Sequence, residues 1–188
     1  LFDGYHNAIC KYDFATPHEY GGDDHSDGEV WRHSSVNVSR VPGLSSHMEF
    51  DEGTPWLYIA DSGNERILKM NTNTGTNSGS LQPYGENLAG YWNVTGTTVE
   101  TVVSTDLGVP TGLEISNDRL LITDYTSGDI IIYDLEQDPV VELGRIETGK
   151  ANNIMGIKVG PDDNIWFVSP TSNELYKIST LMVGDVNS

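Results

Sequence analysis

The chain has 188 residues, of which 37% are hydrophobic, and it carries 28 acidic against 10 basic residues, a formal charge of −18. This acidity argues against nucleic acid and anionic membranes as partners, because both present phosphates that demand basic patches. No apolar run approaches the roughly 18 residues of a membrane-spanning helix, so no membrane span is predicted. The single cysteine, Cys10, excludes an internal disulfide and a cysteine-rich zinc site.

Four short segments share one pattern, in which an apolar strand ends at Asp or Ser, a turn follows, and a second strand alternates apolar and polar residues. The turns are rich in Gly, Asn, Ser and Thr, which tolerate the backbone angles of tight hairpins. The sequence therefore predicts four β-hairpins. In chain order they are LFDGYHNAICKYD (1–13), YIADSGNERILKMN (58–71), LITDYTSGDIIIYD (121–134) and WFVSPTSNELYKIS (166–179).

Further strands flank these hairpins, so that the repeating unit has four antiparallel strands. Repeats of about 40–50 residues with four strands each are typical of β-propeller blades. We therefore predict an all-β chain that forms a β-propeller of four-stranded antiparallel blades, about three and a half of which are present. The flanking strands are SHMEFD (46–51), TGLEIS (111–116) and MGIKVG (155–160) before a hairpin, and EVWRHSSVNVSRV (29–41), TTVETVVST (97–105) and VVELGRIET (140–148) after one.

The predicted blades divide the chain into four units. Residues 1–45 supply the second to fourth strands of the first blade, 46–106 the second blade, 107–150 the third, and 151–188 an incomplete fourth. Because the first unit lacks a first strand, we expect the remaining blades to come from the rest of a longer chain or from a partner. The second blade carries an insert at 71–96, whose polar composition predicts a flexible surface loop between its third and fourth strands.

The phrase YIADSGNERI and its copies resemble the NHL-type repeats of six-bladed propellers, and the likeness covers about four fifths of the chain. The resemblance implies that the blades are part of a six-bladed ring. Ser169 departs from the pattern, because the other copies have Asp at this position. That Asp can accept backbone N–H bonds within its turn, so the repeated residues are predicted to be structural rather than catalytic.

Loops between the second and third strands of a blade emerge on the same face as the connections between blades. We expect a protein or glycan ligand to bind on this face, where exposed aromatic side chains supply contact area at low entropic cost. The predicted binding residues in these loops are His6, Asn7, Ser62, Asn64, Tyr125 and Thr126.

Three residues on the predicted inner strands are candidate metal ligands. His47 begins one inner strand and could face the channel. Glu49 and Glu114 occupy equivalent positions on two inner strands, and carboxylate oxygens suit Ca²⁺. Repeated positions also recur for packing reasons, so a purely structural role for both glutamates is the alternative.

The loop GGDDHSDGE offers a second candidate calcium site, with Asp23 and Asp27 as ligands. An EF-hand is rejected, because the position that requires a bidentate Glu is occupied by Ser34. A looser calcium loop and a solvated acidic turn are the two alternatives.

The turn DGYHN resembles the D-G-Y-x-N turn of peptidylglycine amidating lyases, six-bladed propellers whose zinc is held by channel histidines. The resemblance implies a catalytic role for Tyr5 and a zinc-binding role for His47. The chain departs from that family at Ser62, where the family has arginine, and at Thr111 and Met155, where a further zinc histidine is expected. A zinc lyase needs three imidazoles that hold the metal and leave one position open.

No complete catalytic constellation is visible, and a fold does not dictate a function. The sequence therefore predicts a secreted recognition module, extracellular or periplasmic, that binds a protein or glycan and is stabilised by Ca²⁺ or Zn²⁺ if it holds a metal. The alternative is a metal-dependent enzyme, either a zinc lyase of the amidating type or a calcium-dependent lactonase or esterase. In the latter, Glu49 and Glu114 would surround the ion.

Overall fold

The computed structural model describes residues 1–16, 25–82 and 88–179, which form strands and one turn of 3-10 helix at Ser62–Asn64. None of the described segments is a helix long and apolar enough to span a membrane. The strands are β1 (Phe2–Asp3), β2 (Ala8–Phe14), β3 (Gly28–His33), β4 (Met48–Phe50), β5 (Trp56–Asp61), β6 (Arg66–Asn71), β7 (Thr76–Ser80), β8 (Gly90–Thr95), β9 (Val99–Val103), β10 (Pro110–Ser116), β11 (Arg119–Asp124), β12 (Asp129–Asp134), β13 (Val141–Glu147), β14 (Met155–Val159), β15 (Ile165–Ser169) and β16 (Glu174–Ile178).

These strands build four sheets, which confirms an all-β chain with several antiparallel sheets. The four predicted hairpins are β1–β2, β5–β6, β11–β12 and β15–β16, each paired antiparallel. Sheet 2 has the order β4-β5-β6-β9, sheet 3 the order β10-β11-β12-β13 and sheet 4 the order β14-β15-β16. Each is a meander that follows the chain, as the repeat predicts.

Sheet 1 differs from the prediction, because it contains five strands in the order β1-β2-β3-β8-β7. The prediction of a flexible loop at 71–96 is wrong where the chain forms β7 and β8. These two strands form a hairpin, and β8 pairs parallel with β3. The insert of the second unit thus completes the sheet of the first, and sheet 1 is not purely antiparallel. Polar β7 needs no buried face, since it is an exposed edge strand that requires only backbone pairing.

Consecutive sheets pack face to face and enclose three hydrophobic clusters. On β11, Leu120 and Ile122 face sheet 2 while Leu121 faces sheet 4, which is the alternation expected of a strand buried on both faces. Each such buried aliphatic side chain contributes about 1.5–3 kcal/mol. Sheets 1 and 2 enclose a separate cluster that includes Ile9, Ile59 and Leu68.

The first strands of sheets 2, 3 and 4 lie side by side, with β10 in contact with both β4 and β14. Residues at equivalent positions of these strands are therefore neighbours in space, although the chain separates them widely. This arrangement brings Glu49 and Glu114 together.

Candidate binding cleft and inner-strand charges

Two of the three repeated Asp residues, Asp61 and Asp124, join a hairpin turn to the connection that precedes its sheet. Asp61 is fully buried, and its carboxylate accepts the Ser39 N–H at 2.6 Å and the Arg66 Nε–H at 2.7 Å. Asp124 accepts the Gly108 N–H at 2.9 Å. Asp124 also accepts the Thr126 N–H at 2.9 Å within its turn, which confirms the predicted role there. The bonds to the preceding connection are an addition that the sequence did not show.

Ser169 replaces this Asp in sheet 4. The connection before the sheet, rather than the turn, then supplies the hydrogen-bond acceptor. The side-chain oxygen of Asn153, in the connection before β14, accepts the Thr171 N–H at 2.8 Å. Ser169 itself receives the Ser172 hydroxyl at 2.8 Å. The departure from the repeat therefore keeps the link between turn and connection.

Two of the predicted binding residues lie in the turn after β5, and their side chains form hydrogen bonds within the protein. Ser62 is 1% exposed and donates its hydroxyl to the Pro110 carbonyl at 2.6 Å, so it joins sheets 2 and 3. Asn64 donates its amide to Asp61 at 2.9 Å. These hydrogen bonds give both residues a structural role, and their role in ligand binding stays a prediction.

The same holds for the turn after β11 and for Asn7. Thr126 is exposed, and its hydroxyl accepts the Val109 N–H at 3.2 Å. Tyr125 is half-buried and its backbone N–H also reaches Val109, at 2.8 Å. Asn7 has a φ of 54°, and its carbonyl accepts the Val38 N–H. The structure assigns all three residues a part in turn geometry, while their binding role stays a prediction.

A charged cluster surrounds Asp3 at the end of β1. Its carboxylate lies 2.8 Å from His6 Nδ1 and 3.3 Å from Arg32 Nε, and it accepts the backbone N–H of His6. Burial alone would raise the pKa of Asp3, but the hydrogen bonds from His6 and the charges of His6 and Arg32 lower it below 3.8. Burial and then the Asp3 charge raise the pKa of Cys10, which disfavours its thiolate form.

This cluster forms one end of a cleft of about 490 Å³ on the outer face of sheet 1. Tyr12, Val30 and Tyr91 lie next to one another on β2, β3 and β8 and line the cleft floor. Tyr5 stands at its edge, 86% exposed, with its ring edge-on to His6. The hairpin that was predicted to be a loop thus supplies part of the cleft, through Tyr91.

Arg40 lines the same cleft, and its Cδ lies 2.5 Å from the position that a Cβ at Gly4 would take. All ten basic residues lie within the described ranges, and eight of them make a side-chain ion pair or hydrogen bond. In the part of the chain that the structure describes, Arg40 and Arg119 are the two that make neither. Sequence reasoning missed Arg40, because nothing in its spacing distinguishes it from a solvated arginine.

His47 lies apart from this cleft, since it is not among the residues that line it. Its Nδ1 accepts the Leu113 N–H at 2.9 Å, which leaves the proton of the neutral ring on Nε2. The structure therefore brings Tyr5 and His6 together but does not bring Tyr5 and His47 into one cleft. The catalytic pairing of Tyr5 with His47 stays a prediction.

The two inner-strand glutamates meet at a lysine. Lys158 Nζ lies 2.7 Å from Glu114 Oε2 and 3.1 Å from Glu49 Oε1. Glu114 is 3% exposed, and its Oε1 accepts the Val159 N–H at 3.2 Å. The contact with Glu114, followed by that with Glu49 and their charges, raises the pKa of Lys158 above 10.5 against the opposing effect of burial.

The remaining metal candidates lie in the loop before β3. Asp27 Oδ2 accepts the Thr16 N–H at 2.8 Å, while Asp23 lies outside the described residues. Across residues 1–16, 25–82 and 88–179, no group of three or more His, Cys, Asp or Glu side chains is placed to hold a metal ion.

No protein-family model matches the chain, and no curated protein matches it in sequence. Among solved structures it is similar to a luciferin-regenerating enzyme, with a TM-score of 0.55 and 16% identity. The match covers 81% of this chain and 48% of that enzyme, so the chain spans about half its length. At this identity the likeness is one of fold.

Proposed function

We propose that the chain is a section of an NHL-like six-bladed β-propeller that acts as a secreted recognition module. The repeated hairpin, the four sheets stacked in chain order and the inner strands side by side support this architecture. The likeness of fold to the luciferin-regenerating enzyme, which is propeller-like, agrees with it. The chain spans about half of that enzyme. Any function that needs a complete ring is therefore proposed here and not observed.

The cleft lies on the face of sheet 1 that the preceding blade of the proposed ring would border, so the proposal also requires that this blade leaves the cleft open. The ligand that suits the cleft is an acidic oligosaccharide. The observation that carries this proposal is Arg40, a guanidinium without a carboxylate partner among the described residues of a chain whose net charge is −18. An arginine binds a carboxylate through paired hydrogen bonds. Tyr12 and Tyr91, which lie on either side of Val30 in the cleft floor, offer aromatic surface against which sugar rings pack.

A metal-dependent enzyme has weaker support from the residues present. The calcium hypothesis relies on Glu49 and Glu114, and Lys158 already compensates one of their two negative charges. The zinc reading relies on His47, with one ring nitrogen engaged by the backbone of Leu113. Neither donor set fits its metal well, so no catalytic step is derived through one.

A matched pair of variants tests the oligosaccharide proposal. Arg40→Gln and Arg119→Gln each remove one arginine without an ion pair, so they change the net charge equally. We expect Arg40→Gln to weaken binding of a tetragalacturonate about 10-fold or more, because charged hydrogen bonds contribute about 1.5–3 kcal/mol each. Arg119→Gln should leave the affinity unchanged. Calorimetric titration measures both.

Tyr91→Ala should weaken the same binding, and a neutral reduced tetrasaccharide should bind more weakly to the unmodified chain. Equal losses in Arg40→Gln and Arg119→Gln would mean that the ligand responds to overall charge rather than to the cleft. Binding of an acidic peptide in preference to the tetragalacturonate would keep the cleft but replace the ligand class.

A further inference from the structure

Three charged residues occupy one equivalent position in three neighbouring sheets. Glu49 on β4, Glu114 on β10 and Lys158 on β14 are each the fourth residue of the segments SHMEFD, TGLEIS and MGIKVG. Because the three strands lie side by side, their side chains converge although 109 residues separate the first from the last. The repeat therefore presents two carboxylates and one ammonium at a single point.

Lys158 and Glu114 form an ion pair that does not have hydrogen-bonding geometry. Glu114 Oε2 is buried, and it has no partner at hydrogen-bonding geometry in the described chain although the ammonium lies 2.7 Å away. The side chain of Glu114 is 4% exposed, whereas that of Lys158 is 64% exposed. A buried carboxylate needs a compensating positive charge, and any cation at this point would supply it.

We propose that Lys158 takes the place of a divalent cation: the inner strands form a latent calcium site that the chain fills with its own ammonium. Two carboxylates that converge from separate strands are hard oxygen donors of the kind that Ca²⁺ prefers. The lysine stem reaches from the third strand to the point between them. The unmodified chain therefore holds no Ca²⁺ at this point, and one substitution exposes the site.

The test is the variant Lys158→Glu, which places a third carboxylate at the equivalent position. We expect it to gain one Ca²⁺ site with a dissociation constant of about 10⁻⁴–10⁻³ M, the range of weakly charged extracellular sites. Its melting temperature should rise with Ca²⁺ by linkage. The double variant Lys158→Glu/Glu114→Gln should lose both effects. Calorimetric titration with CaCl₂ and thermal unfolding with and without Ca²⁺ measure them.

Lys177→Glu is the matched control, because it makes the same charge change at an exposed ion pair with Asp162. Equal Ca²⁺ responses in Lys158→Glu and Lys177→Glu would overturn the proposal, since the added charge alone would then explain binding. So would stoichiometric Ca²⁺ in the unmodified chain that Glu114→Gln abolishes.

Lys158→Gln keeps the test decisive if Lys158→Glu does not fold without metal. This variant leaves Glu114 buried without a cation, so we expect a lower melting temperature that Ca²⁺ restores in part. Failure of Ca²⁺ to stabilise either variant would overturn the proposal.

Discussion

Asp61 and Asp124 show how one residue of the repeat joins a hairpin turn to the connection before its sheet. Each lies at the end of a second strand, and each accepts a backbone N–H from the connection that enters its own sheet. The acceptor role follows from the residue type and the turn, so the sequence predicts it. The donor does not follow, because Ser39 lies 22 residues earlier and meets Asp61 only after sheets 1 and 2 have packed.

We expect Asp61→Ala to lower the free energy of unfolding by about 3 kcal/mol, because it leaves the half-buried Ser39 N–H without its acceptor and removes the partner of Arg66. The control is Asp134→Ala, at the end of β12, where the carboxylate accepts the Glu136 N–H in an exposed turn. That variant should lose less than about 1 kcal/mol. Urea unfolding measures both. Similar losses in the two variants would show that the link between units adds little stability.

At the scale of elements, the hairpin β7–β8 is where pattern reading failed. The segment is poor in apolar residues, and β7 is exposed at all five positions, so no alternation marks it as a strand. Its stability comes from docking on sheet 1. The Trp92 ring lies 5.9 Å from that of Trp31, and its Nε1–H donates to Glu29. These partners lie about sixty residues earlier, and a local pattern does not contain them.

Hydrogen exchange resolves this element directly. We expect the backbone amides of β8 to exchange at least about 10-fold more slowly than those of β7, because β8 lies between β3 and β7 while β7 is an edge strand. Exchange followed by mass spectrometry of peptides from 76–80 and 90–95 measures the difference. Fast exchange at both segments would mean that the hairpin is not docked and that the flexible loop predicted from composition is correct.

The whole molecule carries 28 acidic and 10 basic residues, so its charges repel on balance. The ion pairs offset part of this, but pairs such as Lys11–Asp13 and Lys177–Asp162 are exposed and of small individual value. Repulsion between unpaired carboxylates acts over the Debye length, which falls from about 30 Å at 0.01 M salt to about 8 Å at 0.15 M. Screening should therefore favour the folded state.

We expect the melting temperature to rise by a few degrees when NaCl is raised from about 0.01 M to about 0.15 M, which corresponds to about 1 kcal/mol for a chain of this size. Glu52→Gln/Glu136→Gln, which removes two exposed carboxylates, should show a smaller rise. Differential scanning calorimetry measures both. A fall with added salt would indicate that local ion pairs outweigh the net repulsion.

The sequence by itself determined the strands of the repeat, the four hairpins and the structural use of the repeated Asp, because each depends on alternation and turn chemistry within about a dozen residues. It also placed Glu49 and Glu114 at equivalent positions. The tertiary structure alone decided what those positions hold, since Lys158 reaches both glutamates from a third sheet. It likewise decided the cleft, because Tyr91 joins Tyr12 through a parallel pairing that no local pattern encodes. Both outcomes depend on contacts between distant segments, and such contacts form only when the sheets pack.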